Sequence, residues 1–236
     1  MSSFKLGNYT VINCFDNEYF NFSNKGKNLM SVIYSIKDLS YIINNKKIIK
    51  EVTCNIEEGV TVIKGPNGAG KTTFLKLLFG MIHPTSGSIV RHFEMNDSEI
   101  SFVFQEPVFL NRSVADNLKH VLDCKLIKKK DWAGIIHKII SEYSLEHLLN
   151  VQIKDLSGGE LQLLSLIRSM ISNPGIIMYD EPTNNLDVHN IDLVTKIIKK
   201  IYDRGLTLII VSHSNILDSG IKYNQIIFNN GSIKNE

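Results

Sequence analysis

Residues Gly65-Pro66-Asn67-Gly68-Ala69-Gly70-Lys71-Thr72 satisfy the pattern G-x-x-x-x-G-K-[ST] at every fixed position, and Thr73 follows directly. Glycines let the backbone curl so that successive N–H groups point at phosphate oxygens, and a helix starting there adds its positive end. Lys71 is spaced to reach the β and γ phosphates of a nucleotide, and the Thr72 hydroxyl to ligate magnesium. A magnesium ion must also be held from a neighbouring strand, and the apolar run Ile176-Ile177-Met178-Tyr179 ends in Asp180. The adjacent Glu181 is suited to polarise an attacking water, a task for a general base. A third group is Leu156-Ser157-Gly158-Gly159-Glu160, followed by Leu161, Leu164, Ile167 and Ile171 at helical spacing. Ser157 can cap that helix, and the bare N–H groups of Gly158 and Gly159 at its positive end make a second anion surface. Two such surfaces would be redundant in one pocket. The simplest arrangement uses Ser157 to complete the site of a second subunit.

The elements that must position these groups can be read from the apolar runs. From Ser31 the text becomes SVIYSIKDLSYII, KIIKEVTCNI and VTVIK, separated by Asn44-Asn45 and by Glu57-Glu58-Gly59, which predicts strands opening a mixed sheet. VTVIK leads straight into the glycine loop, and TTFLKLLFGMI reads as the helix behind it. Strand, loop and helix in that order predict an α/β fold. Ser113-Val114-Ala115-Asp116 fits a capping box with Leu118, Val121 and Leu122 behind it, so a mostly helical insert is expected from about Ser113 to Asn150. GIIMYD reads as a buried parallel strand, a helix is expected at about Leu193 to Tyr202, and LTLIIV reads as a strand. Lys128-Lys129-Lys130 reads as a solvated helix face. The first thirty residues show no sustained period and are given no element.

Composition bounds the rest. With 236 residues, 43% hydrophobic and 21% charged, the chain can bury a core as one domain, which excludes disordered and collagen-like classes. A net charge of +2 gives no general electrostatic case for nucleic acid or anionic lipid. Cys14, Cys54 and Cys124 form no CxxC pair, so neither a zinc site nor a disulfide framework is suggested, and inert thiols in a reducing compartment are expected. MSSFKLGNYTVINCFDNEYF lacks the apolar stretch of a signal peptide, and no segment approaches the roughly 18 apolar residues of a membrane span.

In the order of its motifs the sequence resembles the ATP-binding cassette (ABC) family. GPNGAGKTT is similar to its phosphate loop, Phe104-Gln105-Glu106-Pro107 to its glutamine loop, LSGGE to its signature, IIMYDEPTNNLD to its Walker B motif and D-loop, and Val211-Ser212-His213 to its switch-histidine strand end. The resemblance runs from about Ser31 to Gly231. It implies a P-loop NTPase (RecA-like) core with an antiparallel β subdomain and a helical subdomain, about 113–170, that carries the signature. Residues 1–30 would be an extension and 31–236 the cassette; Met30 precedes the first family-like strand, so residues 1 to 29 are expected to be either a mis-called start or a disordered extension, with no regulatory domain after Gly231.

The resemblance further implies a head-to-tail dimer in which Gly65 to Thr73 of one copy face Ser157, Gly158, Gly159 and Glu160 of the other across ATP. Thr72, Gln105 and Asp180 would bind Mg2+. Gln105 would also bind the attacking water and couple the site to a membrane partner, Glu181 would be the catalytic carboxylate, His213 would contact the γ-phosphate, and Asp187 would lie at the dimer seam. Some positions depart from the family pattern. The aromatic that stacks on adenine in many members would align near Ile43, whereas the nearest aromatic is Tyr41; Glu160 stands where Gln is usual and Leu163 where Arg is usual.

Two functions of different class compete. One is the ATPase subunit of a transporter, cytoplasmic and peripheral on the inner face of the cell membrane, working with an integral-membrane permease and a solute-binding protein, with no nucleic acid involved. The other is a soluble cassette acting on ribosomes or DNA. Ribosomal relatives usually carry two cassettes and DNA-repair relatives a long coiled coil, and this chain has neither, which favours transport. FVFQEPVFLNRSVADNL resembles importer cassettes, and faintly those for tungstate or molybdate. A cassette without turnover is disfavoured because Lys71, Thr72, Gln105, Asp180, Glu181 and His213 are all present.

Overall fold

A computed structural model describes residues 31–92, 100–182, 186, 188–212 and 220–234, together with the strand backbone at 3–6 and 9–12; of residues 188 and 189 only the backbone is described. The backbone pairs β1 (Ser3–Leu6) with β2 (Tyr9–Ile12) in an antiparallel hairpin. This differs from the expectation of no element. The signal in the sequence was the dipeptide Gly7-Asn8, a combination that favours turns, set between SFKL and YTVI and hidden by the polar composition around it.

The apolar runs after Ser31 fold as β3 (Val32–Ile43) and β4 (Lys46–Glu57), an antiparallel pair. They turn at Asn44 and Asn45, both at positive φ (48° and 60°), the conformation a two-residue hairpin loop demands and asparagine tolerates. β6 (Ser86–Arg91) joins the other edge of β3, giving the order β4-β3-β6. β5 (Val60–Lys64) does not continue this sheet, contrary to the reading of one mixed sheet. Four of its five residues are buried, and such a strand needs cover on both faces, whereas β3 and β4 carry exposed positions and keep one face to water. β5 instead lies parallel between β10 (Tyr223–Asn229) and β9 (Thr207–Val211). The second sheet is ordered β11-β10-β5-β9-β8-β7, with β7 (Ile100–Val103) and β8 (Ile176–Asp180) parallel to β9; only β11 (Ser232–Ile233) is antiparallel.

This sheet separates two cores. On one face Ile63, Ile176, Met178, Ile209 and Phe228 pack with α1 (Lys71–Phe79) and with β3 and β4. On the other Val62, Ile177, Tyr179, Leu208 and Ile210 pack with α4 (Gly158–Met170), α5 (Val188–Asp203) and the helical insert. Alternation along β8 divides its side chains between the two. Each fully buried leucine, isoleucine or phenylalanine contributes about 1.5–3 kcal/mol, so both faces are held chiefly by apolar burial. α1 stops at Phe79, before the end predicted from sequence, because Gly80 takes φ 91° and its N–H bonds the carbonyls of Lys76 and Leu77.

The helical insert is as expected: α2 (Val114–Cys124) and α3 (Trp132–Glu142), joined by short 3-10 turns at Lys129–Asp131, Glu146–Leu148 and Ile153–Asp155, lead to α4. Ser113 caps α2, accepting from the Asp116 N–H at 3.1 Å and donating its hydroxyl to the Asp116 carboxylate at 2.8 Å. Lys128, Lys129 and Lys130 are exposed. Among the described residues no helix is long and apolar enough to cross a membrane.

Candidate functional site

Gly65 leaves the end of β5 against the backbone of β10, where a Cβ would lie 2.2 Å from the Phe228 carbonyl oxygen; no other residue fits. The chain then runs through exposed Pro66, Asn67 and Gly68 to buried Ala69, whose carbonyl accepts from the Gly231 N–H at 3.0 Å. Gly70 precedes α1 at φ 101°, and no side chain caps the helix and no acid stands in its first turn. Its leading N–H groups are therefore available to an anion. The Lys71 ammonium lies within the curl, donating to the carbonyls of Gly65 at 2.9 Å and Pro66 at 3.0 Å. Burial lowers its pKa, opposed by the charges of Glu181 and Asp180.

Asp180, 2% exposed, accepts a hydrogen bond from the Thr72 hydroxyl at 3.0 Å, so the strand-end acid and the loop threonine meet as the sequence predicts. Burial raises the Asp180 pKa; the Thr72 hydroxyl opposes the rise, and the neighbouring Glu181 charge adds to it. Glu181 turns off the strand at φ 50°, a left-handed conformation that costs on the order of 1 kcal/mol or more in a non-glycine residue. Its N–H donates to the Val211 carbonyl at 2.9 Å, which fixes that turn to the end of β9. β9 passes directly into buried Ser212, whose N–H bonds the Ile63 carbonyl at 3.1 Å. His213 and Asp187 lie outside the described residues.

Ser157 and Glu160 form a complete capping box at the start of α4. The Glu160 carboxylate accepts from both the N–H and the hydroxyl of Ser157 at 2.7 Å, and the Glu160 N–H donates to the Ser157 oxygen at 3.3 Å. These bonds hold the Glu160 carboxyl below its usual range. They also keep the cluster's bonding within itself, while Gly158 faces open space. Gly159 packs closely on α5: a Cβ there would sit 2.1 Å from Nδ2 of Asn190, whose side chain would have to shift. Gln105, two residues past β7, is exposed. Phe104 before it packs against Phe102 with tilted rings whose centroids are 4.7 Å apart. The segment after it is tied to α4 by Arg168, which donates to the Val108 carbonyl at 2.7 Å and lies 4.2 Å over the Phe109 ring.

Ile43 is 48% exposed at the β3 turn, while Tyr41 packs against the core. Leu163, 3% exposed, is a core residue of α4, which accounts for an apolar side chain there. Sequence reasoning missed Asn190, Arg168 and a buried bond from Gln162 to Tyr179. A glutamine inside an apolar helix face and a tyrosine inside an apolar strand were the available signals for the last; nothing in the sequence marked Asn190.

A glycine loop between a buried parallel strand and a helix, with its threonine bonded to a strand-end aspartate, defines a P-loop nucleoside triphosphatase. Residues 49–184 match the family described as ABC transporter. The zinc import ATP-binding protein ZnuC of Wigglesworthia glossinidia brevipalpis is 31% identical over 186 residues, which cover 78% of this chain and 77% of that protein. The chain therefore belongs to the ATP-binding cassette (ABC) transporter family, as an ATP-binding and ATP-hydrolysing member. It is also 33% identical over 173 residues to the molybdate/tungstate import ATP-binding protein WtpC of Methanocaldococcus jannaschii, covering 70% of the chain but only 58% of that protein. In fold it matches an ATP-binding cassette solved as a dimer in a post-hydrolysis state with ADP and Pi, at a TM-score of 0.73 and 24% identity over 86% of this chain and 97% of that one.

Proposed function

We propose that this chain hydrolyses ATP to drive solute import through a separate integral-membrane permease, on the cytoplasmic face of the membrane, and that two copies close head to tail on the nucleotide. The observation that carries the reading is the start of α4, where Ser157 and Glu160 are bonded to one another and Gly158 faces open space; a nucleotide gripped by Gly65 to Thr73 of a second copy would complete its γ-phosphate shell there. Mg2+ fits the Thr72 hydroxyl and Asp180 carboxylate, a pair of hard oxygen donors already in contact. Among the described residues no group of three or more His, Cys, Asp or Glu side chains is gathered for a metal, so its other ligands would be phosphate oxygens, water and Gln105. Mg2+ would neutralise charge on the transferred phosphate. In this reading Glu181 orients and polarises the attacking water, His213 contacts the γ-phosphate, and Asp187 lies at the seam between copies. A solute-binding protein would deliver the cargo to the permease. Import is supported by the names of the zinc and molybdate/tungstate relatives.

Affinity capture from detergent-solubilised native membranes tests the assembly, with ATPase assays of Glu181→Gln beside it. A stoichiometric polytopic permease and loss of turnover in the variant are expected. Ribosomal or DNA-associated proteins without a permease would overturn the transport reading, and full activity in Glu181→Gln would overturn the role of that carboxylate.

A further inference from the structure

Asn230 and Gly231 form the two-residue loop of the β10–β11 hairpin, in which Asn229 pairs with Ser232. Both take positive φ (47° and 86°), as such a loop demands and as asparagine and glycine allow. Gly231 is not out in solvent but buried between two other parts of the chain. On one side its carbonyl accepts from the Lys50 N–H at 2.8 Å, at the edge strand of the sheet β4-β3-β6. On the other its N–H donates to the Ala69 carbonyl of the phosphate loop at 3.0 Å. A Cβ on Gly231 would lie 2.5 Å from the Ile48 carbonyl oxygen, and one on Gly70 would lie 3.0 Å from the same atom. These two glycines let β4, the hairpin turn and the phosphate loop meet at one point.

We propose that the Asn230-Gly231 turn is a positioning element of the nucleotide site: it holds the Ala69–Gly70 peptide so that the Gly70 N–H faces the bound phosphates. The inference rests on the reading that Gly65 to Thr73 grip ATP. A trans peptide points its C=O and its N–H in opposite directions, so a carbonyl bonded to Gly231 sends the next N–H away from the hairpin. Pro66, Asn67 and Gly68 are exposed, and the bend they form depends on what holds its two ends. At the β5 end Gly65 lies against the Phe228 carbonyl, and at the α1 end Ala69 is bonded to Gly231, so β10 and its turn hold both. A loop fixed before the nucleotide arrives binds it more tightly than a loop the nucleotide must order.

The test uses Gly231→Ala and Gly205→Ala in the full chain, with melting temperature, equilibrium binding of a fluorescent ATP analogue, ATP KM and kcat measured together. Both glycines take positive φ (86° and 72°), so alanine strains the backbone at each, but a Cβ on Gly205 meets nothing within 4 Å. In Gly231→Ala the methyl group pushes the turn off β4, and the N–H leaves Ala69. The expected result is an analogue Kd and an ATP KM about tenfold higher in Gly231→Ala, with kcat within about twofold of wild type because saturating nucleotide orders the loop again. Gly205→Ala loses stability and keeps wild-type affinity. An unchanged Kd in Gly231→Ala, or an equal rise in Gly205→Ala, would make the turn merely structural and overturn the inference. If Gly231→Ala does not fold, the full chain with an ester oxygen in place of the Gly231 N–H, joined from a synthetic C-terminal peptide, decides the matter. That change removes the donor to Ala69 without adding a methyl group, and wild-type affinity there overturns the inference as well. Lys71→Met is measured alongside. Unchanged affinity in that variant refutes the role given to the phosphate loop and the inference with it, whereas a loss there beside wild-type affinity in Gly231→Ala refutes the inference alone.

Discussion

Among the described residues two serines cap helices with the same chemistry, and only one of them stands at the candidate site. Ser113 accepts from the Asp116 N–H at 3.1 Å and Ser157 from the Glu160 N–H at 3.3 Å. Replacing either by alanine removes one helix cap, at a cost of about 1 kcal/mol. For a chain of this size that lowers the melting temperature by about 2–4 °C, and the two variants should be alike in this respect. Their activities should differ. If the Ser157 hydroxyl completes the phosphate shell of a second copy, Ser157→Ala also loses a hydrogen bond to a charged oxygen, worth about 1.5–3 kcal/mol. At about 1.4 kcal/mol per factor of ten, kcat/KM falls by roughly ten- to a hundredfold. Ser113→Ala should stay within about twofold of wild type, because among the described residues no hydrogen bond or ion pair joins Ser113 or Asp116 to the residues placed at the site. Steady-state ATPase at a temperature where both variants are folded, with calorimetry on the same preparations, makes the comparison. Equal losses of activity in the two variants would refute the reasoning, since activity would then follow helix stability alone.

Three further outcomes follow from geometry already described. The Glu160 carboxyl is held below its usual range by Ser157, so its contribution to stability is fully present above the ordinary carboxylate pKa of about 4.3 and is lost as pH falls through the lower folded value. Glu160→Gln retains both sides of the capping box, and its melting temperature should fall less than that of wild type between about pH 6 and about pH 3; parallel curves would count against the charge. Burial pushes the Cys54 thiol up to about 12, whereas Cys124 is exposed, so an alkylating reagent near pH 8 should label Cys124 in the native chain and reach Cys54 only on unfolding, as peptide mass spectrometry would show. Gly159→Ala places a methyl group against Asn190 and should cost about 1–3 kcal/mol, and adding Asn190→Ala should recover most of it in a double-mutant cycle followed by thermal unfolding.

The parts of the site legible in the sequence are those whose chemistry is local. Gly65 to Thr72 read as a loop between a strand and a helix, and the buried run ending in Asp180 as an interior strand; the loop does join β5 to α1, β8 is buried within the sheet, and Thr72 meets Asp180. Ser157 and Glu160 are spaced to cap, and they do. Pairings set by long-range topology were not legible. Nothing in VTVIK tells whether it pairs with the preceding strands or with strands far along the chain, and it pairs with β9 and β10. The tight fit at Gly159 is against a side chain on another helix, Asn190, and no local rule connects the two. The Arg168 contact with the segment after Gln105 spans sixty positions of sequence for the same reason.

The strand β8 shows how one short element can serve two clusters. Its alternation sends Ile176 and Met178 into the core beneath α1, the helix of the phosphate loop, and Ile177 and Tyr179 into the core beneath α4, the helix that Ser157 opens. Asp180 then meets Thr72 on the first side. At Glu181 the alternation is broken by a left-handed residue, whose N–H is held by Val211 of the adjoining strand. A residue continuing the strand would turn back to the α4 face, away from Thr72. The positive φ lets Glu181 leave that pattern while Asp180 keeps its bond, and the charges of both acids act on the Lys71 ammonium. The strained turn therefore has a chemical purpose in the proposed reaction: it lets two consecutive carboxylates take two different tasks, one at the magnesium and one at the water.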